Sequence, residues 1–119
     1  CRVFGAEPAE ADDAFRSMAA GHIIPLEHTT TIADGLRTSL GVPNFALMNA
    51  HGVEIVTVSE SEIVRAMRLV WERMKIVIEP SAAVPVAVLM AHRGRVDGHR
   101  IGVILSGGNL DLDHLPWQT

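Results

Sequence analysis

The chain is poor in residues that staple or anchor a fold from outside. It carries one cysteine, Cys1, in 119 residues, which excludes an internal disulfide framework and a cysteine-based zinc site. A single thiol fits a reducing compartment, and a cytoplasmic protein is expected. Tyrosine is absent and aromatic residues make up 4% of the chain, so the core must be aliphatic. Lysine occurs once, at Lys75, and arginine is scattered. With a net charge of -4 and no basic tract, nucleic acid is not an expected partner. No long hydrophobic run occurs either. The longest, Ser81 to Ala91, contains Pro85 and falls short of the ~20 residues that a membrane-crossing helix needs.

What is present describes one globular domain. Hydrophobic residues at 48% and charged residues at 20% exclude a disordered chain, and the length suffices for one core but not two. The opening Cys1-Arg2-Val3-Phe4-Gly5 reads as a short strand that starts with no preceding element to pair with. The chain is therefore expected to be a piece of a longer enzyme.

Periodicity then predicts alternating elements. Ala9 to Ala20 reads as a helix with Asp12 and Asp13 in its early turns, closed by Gly21. His22 to Thr31 reads as a loop. Ile32, Leu36 and Leu40 repeat at helical spacing, broken by Gly35 and stopped by Gly41, and Pro43 to Ala50 reads as a further amphipathic helix. Val53 to Val58 is a β-branched, buried strand. Ser59-Glu60-Ser61-Glu62 forms a capping box, after which Ile63, Met67, Val70 and Met74 stripe one helix face as far as Lys75. Glu79-Pro80-Ser81 starts an almost wholly apolar helix that Pro85 should kink or shift. His92 to Arg100 is a polar loop, and Ile101 to Leu105 reads as a second buried strand. Apolar strands alternating with helices predict an α/β fold on a mainly parallel sheet.

Three places offer chemistry. Leu105-Ser106-Gly107-Gly108-Asn109 puts a hydroxyl at the carboxyl end of a predicted parallel strand, where ligands bind in open α/β folds, with glycines that admit close approach; it also reads as a tight turn. Glu7-Pro8-Ala9-Glu10-Ala11-Asp12-Asp13 gathers carboxylates able to hold a hard cation, and on spacing alone reads better as an acidic helix start. Thr29-Thr30-Thr31-Ile32-Ala33-Asp34-Gly35 is a ligand-lining loop or a plain cap and turn. Glu79, entering a buried region, is a functional carboxylate or a cap. The six histidines lack ligand spacing. A Schiff-base enzyme needs a lysine desolvated in a pocket. Lys75 instead ends an amphipathic helix, so no catalytic residue is assigned within this chain.

These segments, taken in order, carry a resemblance. Gly5-Ala6-Glu7-Pro8, Ala11-Asp12-Asp13, Thr31-Ile32-Ala33-Asp34-Gly35, Leu69-Val70-Trp71-Glu72-Arg73-Met74-Lys75, Glu79-Pro80-Ser81-Ala82 and Leu105-Ser106-Gly107-Gly108-Asn109-Leu110-Asp111 resemble the C-terminal part of the serine racemase and serine/threonine dehydratase family. These are pyridoxal-phosphate enzymes with the mainly parallel, three-layer fold of the tryptophan-synthase-β type. The resemblance covers nearly the whole chain. It implies that residues 1–119 are the C-terminal portion of the large, cofactor-binding domain. Ser106 would donate to the cofactor's pyridine nitrogen, Gly107 and Gly35 would line the ring pocket, and Glu79 would lie close to it. Glu7, the Ala11 carbonyl and Asp13 would hold Mg²⁺ or Ca²⁺, and Asn109 and Lys75 would match a nucleotide (ATP) effector site at a subunit interface of a homodimer. The implied activity is β-elimination of serine or threonine to a 2-oxo acid and ammonia, with serine racemisation as a companion reaction. The family's Schiff-base lysine and phosphate cradle would precede this segment. Pro85 departs from the family's small residues. The alternatives are a non-catalytic α/β ligand-binding or regulatory module and a cysteine-synthase relative, the latter disfavoured by Glu7, Asp13 and Asp34-Gly35.

Overall fold

The computed structural model describes residues 1–96 and 98–118. Two parallel strands, β1 (Phe4–Pro8) and β2 (Glu54–Val58), pair in register from Phe4 opposite Glu54 to Pro8 opposite Val58. Such a pair needs a crossover, and here it contains α1 (Asp13–Ala20) and α2 (Val42–Ala50). After β2 come α3 (Glu60–Met74) and α4 (Pro80–Ala91). Helix α4 packs on both strands, and α3 packs on α4. The core is aliphatic as expected: Val56 and Val58 from the sheet meet Ile63, Met67 and Val70 of α3 and Val84, Ala87 and Val88 of α4. Small alanines at Ala82, Ala83 and Ala87 let α4 approach closely while remaining apolar around most of its surface. No helix among the described residues is long and apolar enough to cross a membrane.

Helix α3 forms as its local signals predict. The Ser59 hydroxyl accepts the Glu62 N–H, and the Glu62 carboxylate accepts the Ser59 N–H at 2.8 Å. Ile63, Met67 and Val70 are buried, whereas Met74 is exposed in the last turn. Lys75 closes the helix in the left-handed region at φ 61°. Pro85 lies inside α4. It cannot donate to the Ser81 carbonyl one turn earlier, so the helix runs on with that bond missing.

Four expectations are corrected. Ala9 to Ala20 is not one helix: a 3-10 turn over Ala9–Ala11 precedes α1, because the Glu7 carboxylate takes the Ala14 and Phe15 N–H groups and restarts the helix there. The pattern of Ile32, Leu36 and Leu40 yields only a 3-10 turn, Asp34–Leu36. Thr29, Thr31 and Asp34 side chains accept the N–H groups of Thr31, Ala33 and Gly35, competing with a helix for its donors. Helix α2 begins at Val42 and buries none of its residues, so its apolar positions do not define a core face. Ile101 to Leu105 is not a strand. The strands β1 and β2 pair with each other, and Ile104 is 82% exposed; an apolar segment becomes a strand only beside a ladder partner. The polar loop of His92 to Arg100 holds over its described residues.

Candidate cofactor site and acidic site

The carboxyl end of β1 carries the acidic site, as expected for open α/β sheets; Ser106, expected at the end of a further strand, follows a segment that is not a strand. In the last residues of β1, Glu7 is 9% exposed, and Asp13 beyond it 2%. Glu7 Oε1 accepts the Ala14 N–H at 3.0 Å and Oε2 accepts the Phe15 N–H at 2.9 Å. Asp13 Oδ2 accepts the Leu40 N–H at 2.7 Å. Burial pushes the Glu7 carboxyl up to about 7, against the lowering effect of the two N–H donors, and the nearby Asp13 and Asp12 charges raise it further. Ala11, whose carbonyl is the third expected ligand, is fully buried beside them. No group of three or more His, Cys, Asp or Glu side chains that could hold a metal occurs among the described residues. A cation here would therefore rest on two carboxylates and backbone oxygen, a donor set that suits a hard divalent ion.

The second cluster is assembled from three separate segments. Glu79 sits just before α4, on a stretch anchored by Trp71, whose indole N–H donates to the Ile78 carbonyl at 3.0 Å. The ring of Trp71 also meets Trp117 edge to face, with centroids 5.4 Å apart. Against this stretch lies the 107–109 segment: the Glu79 N–H donates to the Gly107 carbonyl at 3.3 Å, and the Asn109 N–H donates to Glu79 Oε2 at 2.9 Å. Gly107 has φ +101°, which disfavours any residue with a Cβ, and a Cβ built on it would lie 2.5 Å from Glu79 Cδ, so a side chain there would push the carboxylate aside. From the other side comes Gly35, whose N–H donates to Ser81 Oγ at 3.0 Å; a Cβ there would lie 3.8 Å from Glu79 Oε1.

The structure thus brings together Gly35, Glu79 and Gly107. Glu79 occupies the N-cap position of α4, and its carbonyl accepts the Ala83 N–H, but its side chain makes no capping bond. Ser106, next to Gly107, is exposed and makes no hydrogen bond to the described residues, so its hydroxyl is open to a ligand. Two glycine faces, a held carboxylate and a free hydroxyl fit a planar, closely approached ring. Asn109 and Lys75 are both exposed, and their side chains make no hydrogen bonds among the described residues. Thr31 is fully buried with its hydroxyl accepting the Ala33 N–H, which favours the plain-turn reading of that loop. Ser81 and Glu60 lie within the Glu79-Pro80-Ser81 and Ser59-Glu60-Ser61-Glu62 motifs, yet nothing local in the sequence signals their bonds. Their partners, Gly35 and Ile32, are remote in sequence.

A glycine-lined cluster at the start of α4 and an acidic pair at the end of β1 give this α/β fold two candidate ligand sites. The family model described as "Pyridoxal-phosphate dependent enzyme" matches residues 1–107, and the chain belongs to that family. It is 48% identical over 117 residues to the β-hydroxyaspartate dehydratase of Paracoccus denitrificans, covering 98% of this chain and 37% of that protein. Among solved structures it is similar to the T.th. threonine deaminase, with a TM-score of 0.88 and 44% identity over 92% of this chain and 40% of the other. Maize serine racemase gives a TM-score of 0.87 and 38% identity, covering 94% of this chain and 36% of the other. The chain spans little more than a third of the length of the dehydratase. The fold is α/β with a parallel sheet, of the tryptophan-synthase-β-like type.

Proposed function

We propose that these residues form the C-terminal portion of the large, cofactor-binding domain of a lyase or isomerase that uses pyridoxal phosphate on hydroxy amino acids. The observation that carries this reading is the convergence of Gly35, Glu79 and Gly107 beside the unengaged Ser106 hydroxyl. Bound pyridoxal phosphate supplies an electron sink for negative charge at the substrate α-carbon. The Ser106 hydroxyl is the donor to the pyridine nitrogen. Being neutral, it draws less charge into the ring than an acid would, which suits β-elimination and racemisation. Glu79, held by the Asn109 N–H, closes the pocket beside Gly107. The reaction removes the α-proton and the β-hydroxyl, and hydrolysis then releases a 2-oxo acid and ammonia.

Glu7, the Ala11 carbonyl and Asp13 hold Mg²⁺ or Ca²⁺ in this reading, because a divalent ion relieves the repulsion between two buried carboxylates. The exposed Asn109 and Lys75 take the nucleotide effector at a homodimer interface. A cytoplasmic enzyme accords with the single cysteine.

The test is to supply the full-length protein with pyridoxal phosphate and follow 2-oxo acid and chirality with serine, threonine and 3-hydroxyaspartate. Turnover of one of these, strongly reduced in Ser106→Ala, is expected. A loaded protein that turns over none of them refutes the reading and favours a non-catalytic ligand-binding module.

A further inference from the structure

The loop from Thr31 to Arg37 carries Gly35 to the cofactor cluster, and it has almost no regular structure to hold it there. Three of its N–H groups are satisfied within the loop or by its neighbour Thr29. Two bonds tie it to the rest of the fold. The Ile32 N–H donates to Glu60 Oε2 at 2.8 Å, across 28 residues, and the Gly35 N–H is shared between Asp34 Oδ1 at 2.9 Å and Ser81 Oγ at 3.0 Å, the latter across 46 residues. Glu60 begins α3 directly after β2, and Ser81 lies in the first turn of α4, two residues beyond Glu79. Both anchors therefore belong to elements that the core fixes.

The contacts are close at the Ser81 end. A Cβ on Gly35 would lie 3.0 Å from Ser81 Oγ and 3.4 Å from Ser81 Cβ. The hydroxyl thus sets the height of the Gly35 backbone above the start of α4. At the other end, Ile32 gives the Glu60 carboxylate its sole hydrogen bond among the described residues, and Glu60 Oε1 is sealed from solvent with no partner. A carboxylate in that position binds its one donor by a charge-assisted bond, with no competing partner to swing toward.

We propose that Ser81 and Glu60 are positioning residues: together they clamp the Thr31–Arg37 loop so that Gly35 faces Glu79 and Gly107 at the spacing that admits the cofactor. This rests on the function proposed above and adds to it two side chains that touch neither the cofactor nor the substrate. Their role is carried through backbone N–H groups. Removing either acceptor therefore loosens the loop and weakens cofactor binding, while the packed core stays as it is.

The experiment uses the full-length protein and measures three things: pyridoxal phosphate affinity by tryptophan fluorescence quenching, melting of the cofactor-free protein, and hydrogen exchange at Ile32 and Gly35. Ser81→Ala is expected to weaken affinity about two- to threefold, the lower end for one hydrogen bond because the Gly35 N–H keeps Asp34, to speed exchange at Gly35, and to leave the melting curve of the rest intact. Ser81→Thr keeps the acceptor and restores affinity. Glu60→Ala repeats the loss through Ile32, and Glu60→Gln, which retains an acceptor oxygen, recovers most of it. Wild-type affinity in both alanine variants overturns the clamp, as does a loss that Ser81→Thr and Glu60→Gln do not recover. A wild-type protein that binds no pyridoxal phosphate refutes the proposed function itself and takes the clamp with it.

Discussion

Replacing Gly107 by alanine probes the proposed cofactor cluster at its tightest point. The new methyl would lie 2.5 Å from Glu79 Cδ and 2.6 and 2.7 Å from its oxygens. The overlap by itself is cheap to relieve, because a carboxylate at the end of a flexible side chain can swing away. The cost lies in what Glu79 gives up. Moving it breaks the charge-assisted bond from the Asn109 N–H, worth about 1.5–3 kcal/mol. The backbone at φ +101° adds about 1–3 kcal/mol of strain for any residue with a Cβ. The two add to about 2.5–6 kcal/mol; the lower end, about 3 kcal/mol expressed in the bound state, weakens pyridoxal phosphate binding about a hundredfold. The assay is a double-mutant cycle on the full-length protein, comparing Gly107→Ala, Glu79→Ala and the double variant by cofactor affinity. Without the carboxylate only backbone strain remains, so the double variant should recover the bond that both single variants lose, about 1.5–3 kcal/mol relative to additivity. Wild-type affinity in Gly107→Ala, or a strictly additive cycle, refutes the reasoning.

Other perturbations follow from the same contacts. Glu7→Ala leaves the Ala14 and Phe15 N–H groups without their acceptor; it should cost about 2 kcal/mol by denaturant unfolding. It should also abolish any rise in melting temperature with Mg²⁺ or Ca²⁺, which for a site at a hundred times its Kd is worth about 2.7 kcal/mol. The Ser59 N–H and hydroxyl hold the Glu62 carboxyl below its ordinary 4.5. Its stabilising contribution is therefore present above that value and lost as pH falls through the lowered folded pKa. Glu62→Gln should flatten the acid limb of a melting-temperature profile, and an unchanged limb would count against the capping box as its source. Pro85→Ala restores a donor for the Ser81 carbonyl and should stabilise the fold by about 1–3 kcal/mol; a loss of stability in chemical unfolding would show that α4 depends on the ring.

Helix α3 was legible in the sequence because its determinants are local: a cap, a reciprocal carboxylate and an apolar stripe lie within a few turns of one another. The loop around Thr31 was not, because helical spacing says nothing of whether hydroxyls and Asp34 will take the backbone donors first. Ile101 to Leu105 has a strand's composition and lacks a ladder partner among the described residues. Gly35, Glu79 and Gly107 were named from a resemblance between ordered motifs, and the structure brings all three into one cluster. Ser81 and Glu60 escaped notice because each acts on a backbone N–H far away along the chain, and no periodicity encodes that pairing.

The sequence by itself determined the aliphatic core, the α/β class, the limits of α3 and the family, because these depend on side-chain type and short-range order. Tertiary structure alone decided which carboxylates lose water and which stay wet. Glu7 is buried and Glu10 is exposed, though they lie three residues apart. It also decided which glycine meets Glu79. Burial and close approach are properties of two chain segments arriving at one place, and chain segments meet there only when the core between them has closed.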